Sequence, residues 1–154
     1  AEIHGVDLGA GLLRYAHPRA EALGLPIHFK QACASATGFT DASFDLVVSN
    51  ILLHEIPREM LDAVMRESFR LLKPGGLVVH QDVPTQRPDT PAFQQWLSNW
   101  QVAHNDEPFW QCFSETSVPD ALISAGFSSE DVFESYQPQI DGPLVWYMVG
   151  ARKS

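Results

Sequence analysis

The run Phe44-Asp45-Leu46-Val47-Val48-Ser49-Asn50 constrains the fold more than any other part of the chain. Its centre is apolar without alternation, which suits a strand covered by helices on both faces, as in parallel sheets. Residues 77–81, Leu-Val-Val-His-Gln, have the same character and end at Asp82. Between the two, Leu61, Val64, Met65, Ser68, Phe69 and Leu72 recur at helical spacing. Pro57 fits the first turn of that helix, and Lys73-Pro74-Gly75-Gly76 stops it. Upstream, Ile3-His4-Gly5-Val6-Asp7 reads as a short strand with a carboxylate at its tip. A helix follows, carrying Leu12, Leu13, Ala16, Ala20 and Leu23 on one face and ending at Gly24. Pro18 lies inside it, so a kink or late restart is expected there. Ile27-His28-Phe29-Lys30-Gln31 forms the next strand. The order strand, helix, strand, strand, helix, strand predicts an α/β fold with a largely parallel sheet.

Beyond Asp82 the character changes. Residues 84–116 form an aromatic-rich insert, in which Phe93, Trp96, Leu97 and Trp100 share one helical face. Stripes at that spacing usually face a core, so these are assigned to the core. Trp110 and Phe113 remain as candidate pocket walls. Ser117 caps a helix that stops at Gly126, and strands at 131–136 and 144–150 close the chain as an antiparallel pair. No repeat or charge block marks a second domain, so 1–154 reads as a single domain. The formal net charge of -9 disfavours nucleic acid or an anionic membrane as partner. Cys33 and Cys112 form no metal-ligand pair or CxxC motif, and with no leader or membrane-length apolar run they suit a cytoplasmic protein.

Three stretches in order carry a family resemblance: Ala42 through Asn50, Leu53-His54-Glu55-Ile56-Pro57, and Arg70-Leu71-Leu72-Lys73-Pro74-Gly75-Gly76. Together they resemble the class I S-adenosylmethionine-dependent methyltransferases, most of all the small-molecule branch that includes quinone-biosynthesis enzymes. The resemblance implies a Rossmann-like sheet, mostly parallel with an antiparallel last strand. It also implies S-adenosyl-L-methionine as cofactor and a small molecule as methyl acceptor. Asp7-Leu8-Gly9-Ala10-Gly11 superficially resembles the family's glycine-rich first motif. Only one helix fits between Gly11 and Ile27, however, so Gly5-Val6-Asp7 is aligned with the family's second strand. On that alignment the chain is a partial domain, lacking the first strand and its glycine-rich loop. It is then expected to bind the cofactor weakly or not at all alone. The alternative is a catalytically inactive truncated fold serving as a ligand-binding or assembly module. The unpaired strand edges favour a homodimer, with direct pairing of the strands ending at Asp7 and Asn50 as the other repair.

By resemblance, Asp7 and the adjacent Leu8 meet the cofactor's ribose; the blander role for Asp7 is a helix cap. Cys33 stands where many relatives place an acid that binds the adenine amino group, with Ala34 and Ser35 beside the ring or in an ordinary loop. Asn50 ends the main strand, facing the crevice where open parallel sheets bind ligands, or serves as a turn former. His54 is the candidate general base and substrate contact, with Glu55 beside it. The plainer alternative, favoured on sequence alone, is that His54 packs beneath the cofactor or pairs with a helix end. His80, Asp82 and His104 have no partner visible in sequence, and no metal is expected.

Overall fold

A computed structural model describes residues 1–84, 92, 96, 100, 104, 108–140 and 145–154. Strands β1 (Ile3–Asp7) and β2 (Ile27–Gln31) flank helix α1 (Ala10–Ala22) and pair in parallel, with Asp7 opposite Gln31. Strand β3 (Phe44–Asn50) leads through a 3-10 turn (Leu53–Glu55) into helix α2 (Arg58–Leu71) and strand β4 (Leu72–Asp82). Short helix α3 (Trp110–Ser114), helix α4 (Val118–Ala125) and strands β5 (Val132–Pro138) and β6 (Val145–Arg152) complete the described elements. The strand order is β1-β2 in one sheet and β3-β4-β6-β5 in another, with β3 and β4 parallel and β6 antiparallel to both neighbours.

Direct pairing of β1 with β3 is therefore not the arrangement adopted. Each pairs on one side only, so among the described residues each has an unpaired edge. The two sheets meet at their lower ends through rings: His4 lies 5.5 Å from Phe44 and 5.2 Å from Phe39, centroid to centroid. Beside this junction Leu46 and Val48 on β3 are 52% and 66% exposed, and Leu8, Leu12 and Tyr15 are exposed too. Apolar side chains of a buried-strand pattern thus stand uncovered next to an open edge.

The core lies on the other side. One face of α2 (Leu61, Met65) and one face of α4 (Val118, Leu122) close over Val78, Val149 and Ala151 of the larger sheet. The α4 helix starts where expected, with the Ser117 hydroxyl accepting from the Asp120 amide at 3.3 Å. It ends at Gly126, whose φ of 119° favours glycine. Helix α1 continues through Pro18 without a break, contrary to the expected restart. Lys73–Gly76 was expected only to stop α2, yet it lies inside β4 as an irregularity. Gly75 has φ of 82°, and a Cβ on Gly76 would come within 2.9 Å of the Lys73 carbonyl oxygen. The Lys153 ammonium closes the α2 end, donating to the Phe69 and Leu72 carbonyls at 2.7 and 2.8 Å.

Trp96 and Trp100 correct an expectation: they are 57% and 48% exposed, not core. A helical stripe shows which side of a helix is apolar, whereas burial also needs a surface to cover it. Phe93 and Leu97 lie outside the described residues.

Two buried groups make the fold acid-sensitive. Glu67 accepts from the Thr37 amide and hydroxyl at 2.8 and 2.6 Å and pairs with Arg70 at 2.8 Å, while Arg70 also reaches Asp41. The Arg70 guanidinium and the Thr37 donors hold the Glu67 carboxyl down to about 2, against the cost of burial. His80 is 1% exposed, and burial pushes its imidazole down to about 4, partly opposed by Asp82. Both folded values lie below the unfolded ones, so both contributions are present at neutral pH and lost on acidification. Stability is expected to fall between about pH 6.5 and 4 from His80, then between about 4.5 and 2 from Glu67, each by roughly 2–3 kcal/mol. Denaturant midpoints against pH check this, and His80→Leu should flatten the first step alone.

Candidate functional site

The upper ends of β1, β2, β3 and β4 carry the polar side chains that the sequence singles out. At the tip of β1, Asp7 Oδ1 accepts from the Gly9 amide at 2.6 Å, fixing the entry to α1. The bond falls on the residue that precedes α1, so Asp7 closes the turn before the helix without capping its first-turn amides. Leu8 beside it is 67% exposed. At the tip of β2 the Ala32 amide donates to the Asp7 carbonyl at 3.2 Å, so the two tips lie side by side. Cys33, Ala34 and Ser35 follow in a tight turn closed by a bridge between Cys33 and Ala36. Cys33 Sγ lies 3.0 Å from Ser35 Oγ, and hydrogen bonds from the Ser35 side chain and backbone lower the thiol's pKa.

On the second sheet, Asn50 Oδ1 accepts from Gln81 at 3.0 Å. The next residue, Ile51, has φ of 54°, a left-handed conformation that a β-branched side chain rarely adopts. Strain of this kind persists where surrounding contacts over-determine it. Here the contacts come from Asp82, which is fully buried. Its Oδ2 accepts from the Leu52 and Leu53 amides at 3.1 and 2.7 Å. Its Oδ1 accepts from His54 Nδ1 at 2.6 Å and from the Val83 amide at 2.7 Å.

His54 is itself 4% exposed. Its Nε2 lies 3.4 Å from Glu55 Oε1, and its ring meets Trp110 edge to face at 5.5 Å. His54 thus has a carboxylate partner 28 residues away. Asp82 is the residue that sequence reasoning undervalued. The usable signal was the parallel register, which sets Asn50 opposite Gln81 and brings residue 82 beside the turn after β3.

Trp110 packs on His54 as a pocket wall would. Phe113 does not: at 3% exposure it sits in the core with Leu53 and Val118, because the short α3 turns that side inward. Nearby, Tyr147 donates to Glu134 at 2.9 Å, and burial followed by that carboxylate pushes its phenol up, so it stays protonated. Among the described residues no group of three His, Cys, Asp or Glu side chains is placed to hold a metal ion.

A family model for the methyltransferase domain matches residues 1–76. An uncharacterized protein of Haemophilus influenzae is 41% identical over 83 residues, which make up 53% of this chain and 33% of that protein. A SAM-dependent methyltransferase of Methanosarcina mazei superposes with a TM-score of 0.70 at 20% identity, covering 99% of this chain and 82% of that one. The 1,6-didemethyltoxoflavin-N1-methyltransferase of Burkholderia thailandensis, solved with its substrate and S-adenosylhomocysteine, superposes with a TM-score of 0.64 at 17% identity. It is covered over 61% of its length. The fold is therefore that of Rossmann-like methyltransferases. The methyltransferase-domain match over residues 1–76 and this fold support a class I S-adenosylmethionine-dependent methyltransferase. The chain spans about a third of the Haemophilus relative.

Proposed function

We propose that this chain carries the nucleoside half of a cofactor site, in a protein that transfers a methyl group from S-adenosylmethionine to a small molecule. The observation that supports this is the pairing of the β1 and β2 tips, where the Ala32 amide donates to the Asp7 carbonyl just before the Cys33–Ser35 turn. A carboxylate with one oxygen on Gly9 has the other for a ribose diol. Ala34 and Ser35 suit an adenine edge, with the Cys33 sulfur beside its amino group. No comparable set for the methionine part occurs among the described residues. The bound cofactor would supply a methyl carbon already activated by its sulfonium. The protein's share is then mostly positioning.

The same reading assigns a missing central strand to the open edges of β1 and β3, making residues 1–154 a partial domain. A second copy of the chain meeting these edges would cover them, and we favour the homodimer for the chain alone. Light scattering at micromolar concentration should then give twice the chain mass, whereas a well-folded monomer would oppose the dimer. A cytoplasmic location goes with the two free cysteines. No described helix is long and apolar enough to cross a membrane.

Titration calorimetry with S-adenosylhomocysteine tests the site. The chain alone should bind weakly or not at all, and the protein with its central strand restored should bind in the micromolar range. Asp7→Ala in the restored protein should weaken binding by about 2 kcal/mol, through loss of a charged acceptor. Equal affinity in that variant would confine Asp7 to closing the turn before α1 and leave the alignment of β1 without support.

A further inference from the structure

Among the described residues the two sheets share no strand pairing. Residues 32–43, which join β2 to β3, therefore help to set where the tips of one sheet stand relative to those of the other. This segment is tied to α2 at two points by one pair of side chains. After β2, residues 33–36 close as a turn, with the Ala36 amide donating to the Cys33 carbonyl at 3.0 Å. Thr37 follows directly, is 6% exposed, and donates its amide and its hydroxyl to Glu67 Oε1 at 2.8 and 2.6 Å. The same hydroxyl accepts from the Phe39 amide at 3.4 Å, and the Phe39 ring packs on His4 of β1. Before β3, Arg70 reaches Asp41, while its Nε and Nη2 donate to the two Glu67 oxygens, each at 2.8 Å. The Ala42 and Ser43 amides then donate to the Arg70 and Leu71 carbonyls, each at 2.9 Å.

Stability alone does not call for this arrangement. Glu67 is 8% exposed, and a carboxylate so buried is costly to desolvate, where apolar side chains of similar volume often serve a core as well. What the ion pair adds is direction. Glu67 accepts two bonds from one residue and a two-pronged contact from another, so Thr37 has one allowed position, two residues after Ser35. From this we infer that Glu67, held by Arg70, is a positioning residue for the cofactor's base: through Thr37 it fixes the Cys33–Ser35 turn in the pose that separates adenine from other purines. The inference rests on the nucleoside-site reading above and adds to it a determinant of base selectivity outside the crevice. Glu67 touches no part of the ligand. Hydrogen bonds to a base edge weaken steeply with distance and angle, so a small shift of the turn removes them. Contact with the face of the ring tolerates the same shift. Loss of the Glu67 clamp therefore lowers the grip on adenine and spares a purine that lacks the amino group.

The test uses the full-length protein and two ligands that differ only in the base: S-adenosylhomocysteine, with adenine, and S-inosylhomocysteine, with hypoxanthine. Calorimetry gives both affinities for the parent, Glu67→Gln and Thr37→Val, and the parent should prefer the adenine ligand. Glu67→Gln keeps the volume and gives up the charge that holds Arg70. Thr37→Val keeps the volume and the amide bond to Glu67 and removes only the hydroxyl, so it carries the test if Glu67→Gln does not fold. Each variant should bind the adenine ligand about tenfold more weakly and the hypoxanthine ligand within about twofold of the parent, so the preference narrows. Thr37→Ser, which keeps the hydroxyl, should retain the parent's ratio. Equal weakening of both ligands would make the clamp a brace for the fold and overturn the inference. Unchanged affinities in both variants, or a parent that binds both ligands alike, would overturn it too. Absence of S-adenosylhomocysteine binding in the parent would overturn the nucleoside-site reading itself, and the inference with it.

Discussion

Asp82→Ala is expected to destabilise the protein by about 3–5 kcal/mol, the range for removing one partner from a buried charged network. Asp82 is fully buried and accepts four hydrogen bonds, from the Leu52, Leu53 and Val83 amides and from His54. Without it those donors lose their acceptor in a site that water does not reach, and each unmade bond carries a desolvation penalty. The left-handed Ile51 keeps its amide bond to the Gln81 carbonyl, while the two residues after it lose their acceptor. Asp82→Asn keeps the shape but offers one acceptor oxygen in place of two, so about half the loss is expected. Urea unfolding of the two variants checks both values. Similar midpoints for parent and Asp82→Ala would mean that the turn is held by other contacts.

Gly150→Ala should be nearly as damaging, at about 3 kcal/mol or more, for a steric reason. Gly150 pairs with Val79 on β4 and Phe133 on β5, in the middle of the larger sheet. An added Cβ would press into the Val78 carbonyl oxygen and come within 2.7 Å of the Phe133 ring. The ring can move; the strand carbonyl cannot without giving up ladder hydrogen bonds. Replacing Phe133 by alanine in the same chain should therefore recover only a small part of the loss. Gly11→Ala is the control, since nothing lies within 4 Å of that site, and a gain of about 0.5 kcal/mol is expected from helix propensity. Thermal melts of the three variants separate these outcomes.

Local patterns were legible in the chain because they are set by near neighbours. The strand at β3, the face of α2, and the Ser117 and Gly126 ends of α4 stand as expected, but β3 leaves Leu46 and Val48 exposed instead of covered on both faces. What depended on distant partners was not legible. The Asp82–His54 pair joins residues 28 apart and exists only through the parallel register of β3 and β4. Trp96 and Trp100 carry a core-like spacing, yet their exposure depends on what lies opposite. Phe113 looked available for a pocket until the inward turn of α3 placed it in the core. In the candidate site, Asp7 and the Cys33–Ser35 turn were identified by motif order, and the structure supplied their adjacency. The bond from the Gly9 amide to Asp7 Oδ1 needed coordinates.

Hydrogen exchange of the protein with its central strand restored, with and without saturating S-adenosylhomocysteine, tests the central claim most directly, because it reports binding residue by residue. The account predicts slowed exchange at amides 8–9, 33–35 and 50–53, where the tips of β1, β2 and β3 present Asp7, the Cys33 turn and Asn50. Unchanged exchange at those amides, or protection confined to β5 and β6, would contradict it.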